Sequence, residues 1–151
     1  MKTILLATDG SPSAAHALEL ATQLCRETGA RLVALTVRTL EPHGDRDAPH
    51  GDEMDLEPVA QEIADEAASA ARLLGVEAEA RTAYGAPAAQ IAEVAKELGA
   101  DLVVVGSHGR SGFGSAVLGS VSRALVSHCP VPVTVVRGVP TDAPVAATHT
   151  S

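Results

Sequence analysis

Rings are almost missing from this chain. It holds one tyrosine (Tyr84), one phenylalanine (Phe113) and no tryptophan in 151 residues. A platform that stacks single-stranded bases needs aromatic faces. An immunoglobulin-like sandwich is built round an aromatic core. Both are excluded. Positive charge is scarce too: 11 Lys and Arg stand against 19 Asp and Glu, a formal net charge of -8. A binder of nucleic-acid backbones wants a basic face, so no nucleic-acid partner is expected. Cysteine is limited to Cys25 and Cys129, with no CxxC or zinc spacing. Without a disulfide framework, a reducing, cytoplasmic setting is the expectation. Long hydrophobic runs are also missing. The opening MKTILLATDG meets Asp9 after a few apolar residues, whereas a membrane helix needs about 20. No membrane partner is expected.

What is present is 46% hydrophobic residues, mostly Ala, Val, Leu and Ile. That suffices for a packed core, and the length fits one domain of roughly 100–150 residues. Thr3–Thr8 is a continuous apolar run, as in a strand buried on both faces. Ser11-Pro12 reads as a helix start, with Ser at the N-cap and Pro at the first helical position. Ala14, Ala17, Leu18, Ala21, Leu24 and Cys25 then keep helical spacing, and Gly29 suits a left-handed C-cap. Leu32–Val37 reads as a second buried strand. Residues 39–55, rich in Asp, Gly, Pro and His, read as a long mobile loop. A helical period runs from Leu56 to Gly75. Glu77–Thr82 alternates polar and small residues, as in a strand with one solvated face. Pro87 to Gly99 reads as a third helix, Asp101–Val105 as the most apolar strand, Gly119–His128 as a fourth helix and Pro132–Val136 as a fifth strand. The tail from Gly138 to Ser151 is expected to be disordered.

Strands alternating with helices predict a parallel sheet with right-handed crossovers in a doubly wound α/β sandwich. Ligands of such folds bind outside the carboxyl ends of the strands, where strand order reverses. That directs attention to Asp9, Val37 and Gly106.

Gly106, Gly109, Gly112, Gly114 and Gly119 follow the fourth strand and precede a helix. Glycine permits positive φ and close backbone approach. Clustered amide N–H groups form an anion nest, and a helix N-terminus adds its dipole. This suits a phosphate chain despite the acidic composition. General phosphate motifs fail here. Gly114 to Gly119 has P-loop spacing, but Ser120 stands at the lysine position and Val121 at the Ser/Thr position. Gly112-x-Gly114-x-x-Val117 lacks the third glycine of a dinucleotide fingerprint. A glycine-rich loop without a ligand stays open as an alternative.

Gly106-x2-Gly109-x9-Gly119-Ser120 resembles the motif of the ATP-binding branch of the universal stress protein family. The strings VGSHGRSG, LGSVS, ILLATDGS and VPVTVV resemble the family's wording, over residues 1–137. The resemblance implies a five-stranded parallel sheet in the order 3-2-1-4-5, adenine nucleotide alpha hydrolase-like, with residues 1–137 as the domain. It implies that Ala7, Thr8 and Asp9 line the adenosine side and that the Val37 backbone meets the adenine edge. Gly106, Ser107 and Gly109 match ribose and first-phosphate contacts. Gly119, Ser120 and Val121 match the holders of the terminal phosphates. Arg110 matches the family's basic position, with a solvated loop charge as its alternative. Asp9 matches the carboxylate near Mg²⁺ and ribose, with turn capping as its alternative. The implied function is an ATP-dependent stress-response regulator. The implied partner is a second copy, joined through Val133–Val136, since an exposed apolar edge strand must be paired or covered.

No general base or arginine finger for phosphoryl transfer is discernible, so slow or absent hydrolysis is expected. Two alternatives stay open: a dimeric interaction module of the same fold that binds no nucleotide, and an enzyme acting on an adenylated small molecule. His43, Asp45, Asp47, His50 and Asp52 match no metal-ligand spacing and read as a solvated acidic loop. His108 has no discernible triad around it and reads as a loop residue beside the ligand. Cys25 is expected in the core and Cys129 partly exposed.

Overall fold

The structure is a computed structural model. It describes residues 1–39, 51–108 and 118–138, with the backbone alone for 51–58. The elements are β1 (Thr3–Ala7), α1 (Pro12–Thr28), β2 (Arg31–Arg38), α2 (Gly51–Leu73), β3 (Ala78–Tyr84), α3 (Pro87–Leu98), β4 (Leu102–Gly106), α4 (Ser120–His128) and β5 (Val133–Val136). All strand pairs are parallel, in the order β3-β2-β1-β4-β5. The doubly wound fold and its strand order are those expected.

Period-two alternation sorts the sheet into two cores. From β1, Ile4 and Leu6 face Ala17, Ala21 and Cys25 of α1 and Ala67, Ala68 and Ala71 of α2. Leu5 and Ala7 face Ile91, Val94 and Ala95 of α3 and Leu125 of α4. Every residue of β1 is therefore buried, which is why its sequence is an unbroken apolar run. Alanine on the helix faces lets them lie close on the sheet. β3, at one edge, has no fully buried residue. Its Ala78 and Ala80 pack inward, while Glu79 and Arg81 reach Arg31 and Glu97 at 3.2 and 3.5 Å. Such exposed pairs contribute little to stability.

The helix ends follow their signals. Ser11 caps α1, its Oγ accepting the Ala14 N–H at 3.3 Å, and Pro12 follows. Gly29 and Gly99 close α1 and α3 at φ 81° and 65°. Cys25 is buried and Cys129 partly so. The expected loop over 39–55 needs correction at its end: the helix begins at Gly51, before Leu56. Its first residues, including Asp52, Glu53 and Asp55, carry no apolar period to read. Residues 40–50 lie outside the described residues, and with them His43, Asp45, Asp47 and His50. The expected tail, but for Gly138, lies outside them as well.

At the amino ends of the strands, the Asp101 carboxylate accepts the Lys2 and Thr3 N–H groups at 2.7 and 3.1 Å. The Lys2 bond first, then the Thr3 bond, holds its pKa below the ordinary carboxylate value.

Candidate functional site

A cavity of about 350 Å³ opens at the carboxyl ends of β1, β2 and β4, within the range of about 300–1,000 Å³ usual for small-molecule sites. This is where the strand order reverses across β1. Of the residues singled out from the sequence, Ala7, Thr8, Asp9, Val37, Gly106, Ser107, Gly119, Ser120 and Val121 all line it. Gly109 and Arg110 lie outside the described residues.

The cavity has two chemical sides. From β2, α3 and β4 come Val37, Pro87, Ile91 and Val105, all apolar. From the segment after β4 and the start of α4 come Gly106, Ser107, His108, Gly119, Ser120 and Ser122. The described lining contains one carboxylate, Asp9, and no Lys or Arg.

The turn after β1 is held by its own side chains. The Asp9 carboxylate accepts the Ser11 N–H at 2.9 Å, and Thr8 Oγ1 accepts the Gly10 N–H at 3.2 Å. Turn capping by Asp9 is thus realised, and it fixes the carboxylate beside the cavity. Gly10 has φ 79°, a conformation that favours glycine.

The two described motif glycines serve a different need. Gly119 has φ -70°, and Gly106 is not among the positive-φ residues. Close approach is what demands glycine at Gly106 and favours it at Gly119. A Cβ on Gly106 would run into Ser13 Oγ and sit 2.8 Å from the Ser13 carbonyl carbon. A Cβ on Gly119 would lie 3.0 Å from the Ser107 carbonyl oxygen. Positive φ, one half of the reason expected for these glycines, does not apply here.

α4 begins without a side-chain cap, because Gly119 occupies the N-cap. The first N–H groups of any α-helix lack intrahelical acceptors, and here Ser120, Val121 and Ser122 at that end line the cavity. No acidic residue occupies the first turn. The amide end of α4 is therefore open to an oxyanion.

Three serines were not legible as site residues. Ser13, buried on α1, donates its hydroxyl to the His108 carbonyl at 2.6 Å. Ser11 Oγ lies at 3.5 Å from the same oxygen. Ser122, also buried, donates to the Ser107 and Gly119 carbonyls, both at 3.1 Å. The Gly119 N–H meets the Ser107 carbonyl at 2.7 Å. His108 Nδ1 lies 3.2 Å from Ser107 Oγ. Among the described residues, no group of three His, Cys, Asp or Glu gathers to hold a metal. No described helix is long and apolar enough to cross a membrane.

A family model described as "Universal stress protein family" matches residues 1–137. A universal stress protein of Thermus aquaticus is 39% identical over 137 residues, covering 90% of this chain and 98% of that protein. Universal stress protein YxiE of Bacillus subtilis is 37% identical over 144 residues, covering 89% and 97%. Among solved structures, a universal stress protein in complex with cAMP matches with TM-score 0.70 and 29% identity, covering 91% of this chain and 98% of that one.

Proposed function

This chain belongs to the universal stress protein family, and on that footing we propose that it binds ATP with Mg²⁺ and acts as a nucleotide-dependent regulator in the cytoplasm. The observation that carries the reading is the uncapped start of α4, which opens into a cavity at the sheet's reversal. The apolar side formed by Val37, Pro87 and Ile91 suits a base. The N–H groups of Ser120 and Val121 suit phosphate oxygens. Ser107, in the same lining, suits a ribose hydroxyl. The structural relative in complex with cAMP supports an adenine nucleotide as the ligand class.

Asp9 is the candidate for Mg²⁺, a hard cation that takes oxygen ligands and keeps several of its waters. Bound there, Mg²⁺ would offset the repulsion between this carboxylate and a polyphosphate. The described lining offers no second carboxylate as general base and no arginine to stabilise a transferring phosphoryl group. That favours binding with slow or no hydrolysis. A second copy would pair through β5, the outer strand of the sheet, whose four residues are only half-buried.

Calorimetry with ATP and excess Mg²⁺ should show saturable binding of one nucleotide per chain. No heat and no competition by ADP or AMP would overturn the assignment. Light scattering of the same sample should report two copies. A monomer at micromolar concentration would remove the pairing.

A further inference from the structure

The two residues after β4 present two carbonyls beside the region proposed for phosphate, and a bare carbonyl oxygen repels an anion. Neither is bare. The Ser107 carbonyl receives the Gly119 N–H at 2.7 Å and Ser122 Oγ at 3.1 Å. The His108 carbonyl receives Ser13 Oγ at 2.6 Å, the shortest of these bonds. Ser13 is 7% exposed and is not among the residues lining the cavity. Its Oγ also lies 3.4 Å from the His108 N–H, which donates to it. The Gly106 backbone lies so close to Ser13 that no Cβ fits between them. One hydroxyl on the first turn of α1 thus holds a peptide that is 95 residues away in the chain.

We infer that Ser13 is a positioning residue for the phosphate side of the cavity. It binds the His108 carbonyl against α1, which caps that oxygen and fixes the course of the chain entering the glycine segment. Ser107 and His108 line the cavity, and Ser13 reaches His108 from outside that lining. This inference rests on the nucleotide reading above and adds the residue that sets its phosphate selectivity. Preorganised dipoles act on an anion without a reorganisation cost, whereas a segment free to turn must be ordered on binding.

The test is Ser13→Ala, with adenosine, AMP and Mg-ATP titrated into the full chain. Alanine is a good helix former, so α1 should persist, and the thermal midpoint without ligand checks this. Affinity for AMP and Mg-ATP should fall about tenfold, the size expected for losing one good hydrogen bond, while adenosine affinity stays unchanged. A purely structural role would weaken all three ligands together and overturn the proposal. Unchanged affinity for all three would overturn it too. If the unaltered chain bound none of them, the nucleotide reading itself would fall. A Ser13→Ala chain that binds like the unaltered one removes only the role of Ser13.

Discussion

The two ends of the sheet are built from the same five strands and treat their polar groups in opposite ways. At the amino end, donors and acceptors are spent on each other. The Asp101 carboxylate takes the Lys2 and Thr3 N–H groups, Asp101 N–H meets the Thr3 carbonyl at 2.8 Å, and Arg31 N–H meets the Lys2 carbonyl at 2.9 Å. At the carboxyl end, two carbonyls are satisfied from within and a set of helix N–H donors has no intrahelical acceptor. The Ser107 and His108 carbonyls are capped from inside the protein, and the opening N–H groups of α4 face the cavity. A closed network fixes the fold. A surplus of one sign of hydrogen-bonding group prepares a surface for a ligand of the other.

Three substitutions sharpen or break this contrast. Leu5→Ala removes a fully buried side chain from the strand that joins both ends. It should cost about 2–5 kcal/mol in denaturant unfolding, and both ends should lose stability together. A selective loss of nucleotide binding with normal stability would show that the ends are less coupled than the shared core implies. Gly119→Val should act at the carboxyl end alone. Its side chain would press on the Ser107 carbonyl at 3.0 Å and turn the start of α4. Mg-ATP affinity should fall about a hundredfold, which is roughly 2.8 kcal/mol, with a smaller loss of thermal midpoint than Leu5→Ala causes. Unchanged affinity in calorimetry would count against the site. Asp101→Asn should have the smallest effect, confined to the amino end. The native carboxylate has its pKa lowered by the two N–H groups it accepts. Its stabilisation is therefore present above the ordinary carboxylate value, and it is lost as pH falls through the lowered one. The midpoint difference between the two proteins should be visible at pH 7 and vanish in strong acid. A difference independent of pH would mean that the ionised form is not what matters.

The elements were largely legible because their signals are local. Ser11-Pro12, Gly29 and Gly99 each mark a helix end within a few residues of where it occurs, and the apolar run of β1 announces its burial on both faces. The start of α2 was not legible, since Met54 is the one apolar side chain from Gly51 to Asp55 and a single residue sets no period. In the candidate site, the spacing of Gly106 and Gly119 led to two residues that line one cavity, for a partly different reason than expected. Their lack of a side chain serves contact with Ser13 and with the Ser107 carbonyl, and those contacts exist only once distant segments have met. Ser13 and Ser122 were invisible for the same reason. A serine on a helix looks solvated in sequence, and only the fold brings the Ser107 and His108 carbonyls to these two hydroxyls.

Gly119 as an N-cap has one more consequence. A helix begun by serine or aspartate carries its own terminal acceptor and is complete in isolation. α4 carries none, and under the proposed function it would borrow its cap from the oxyanion bound in the cavity. Occupancy would then add to the stability of the helix. At a hundred times its dissociation constant, a ligand bound only by the folded chain adds about 2.7 kcal/mol to stability. Hydrogen exchange along Ser120–His128 would then follow the ligand concentration of the surroundings, so that α4 acts as a gauge written into the backbone.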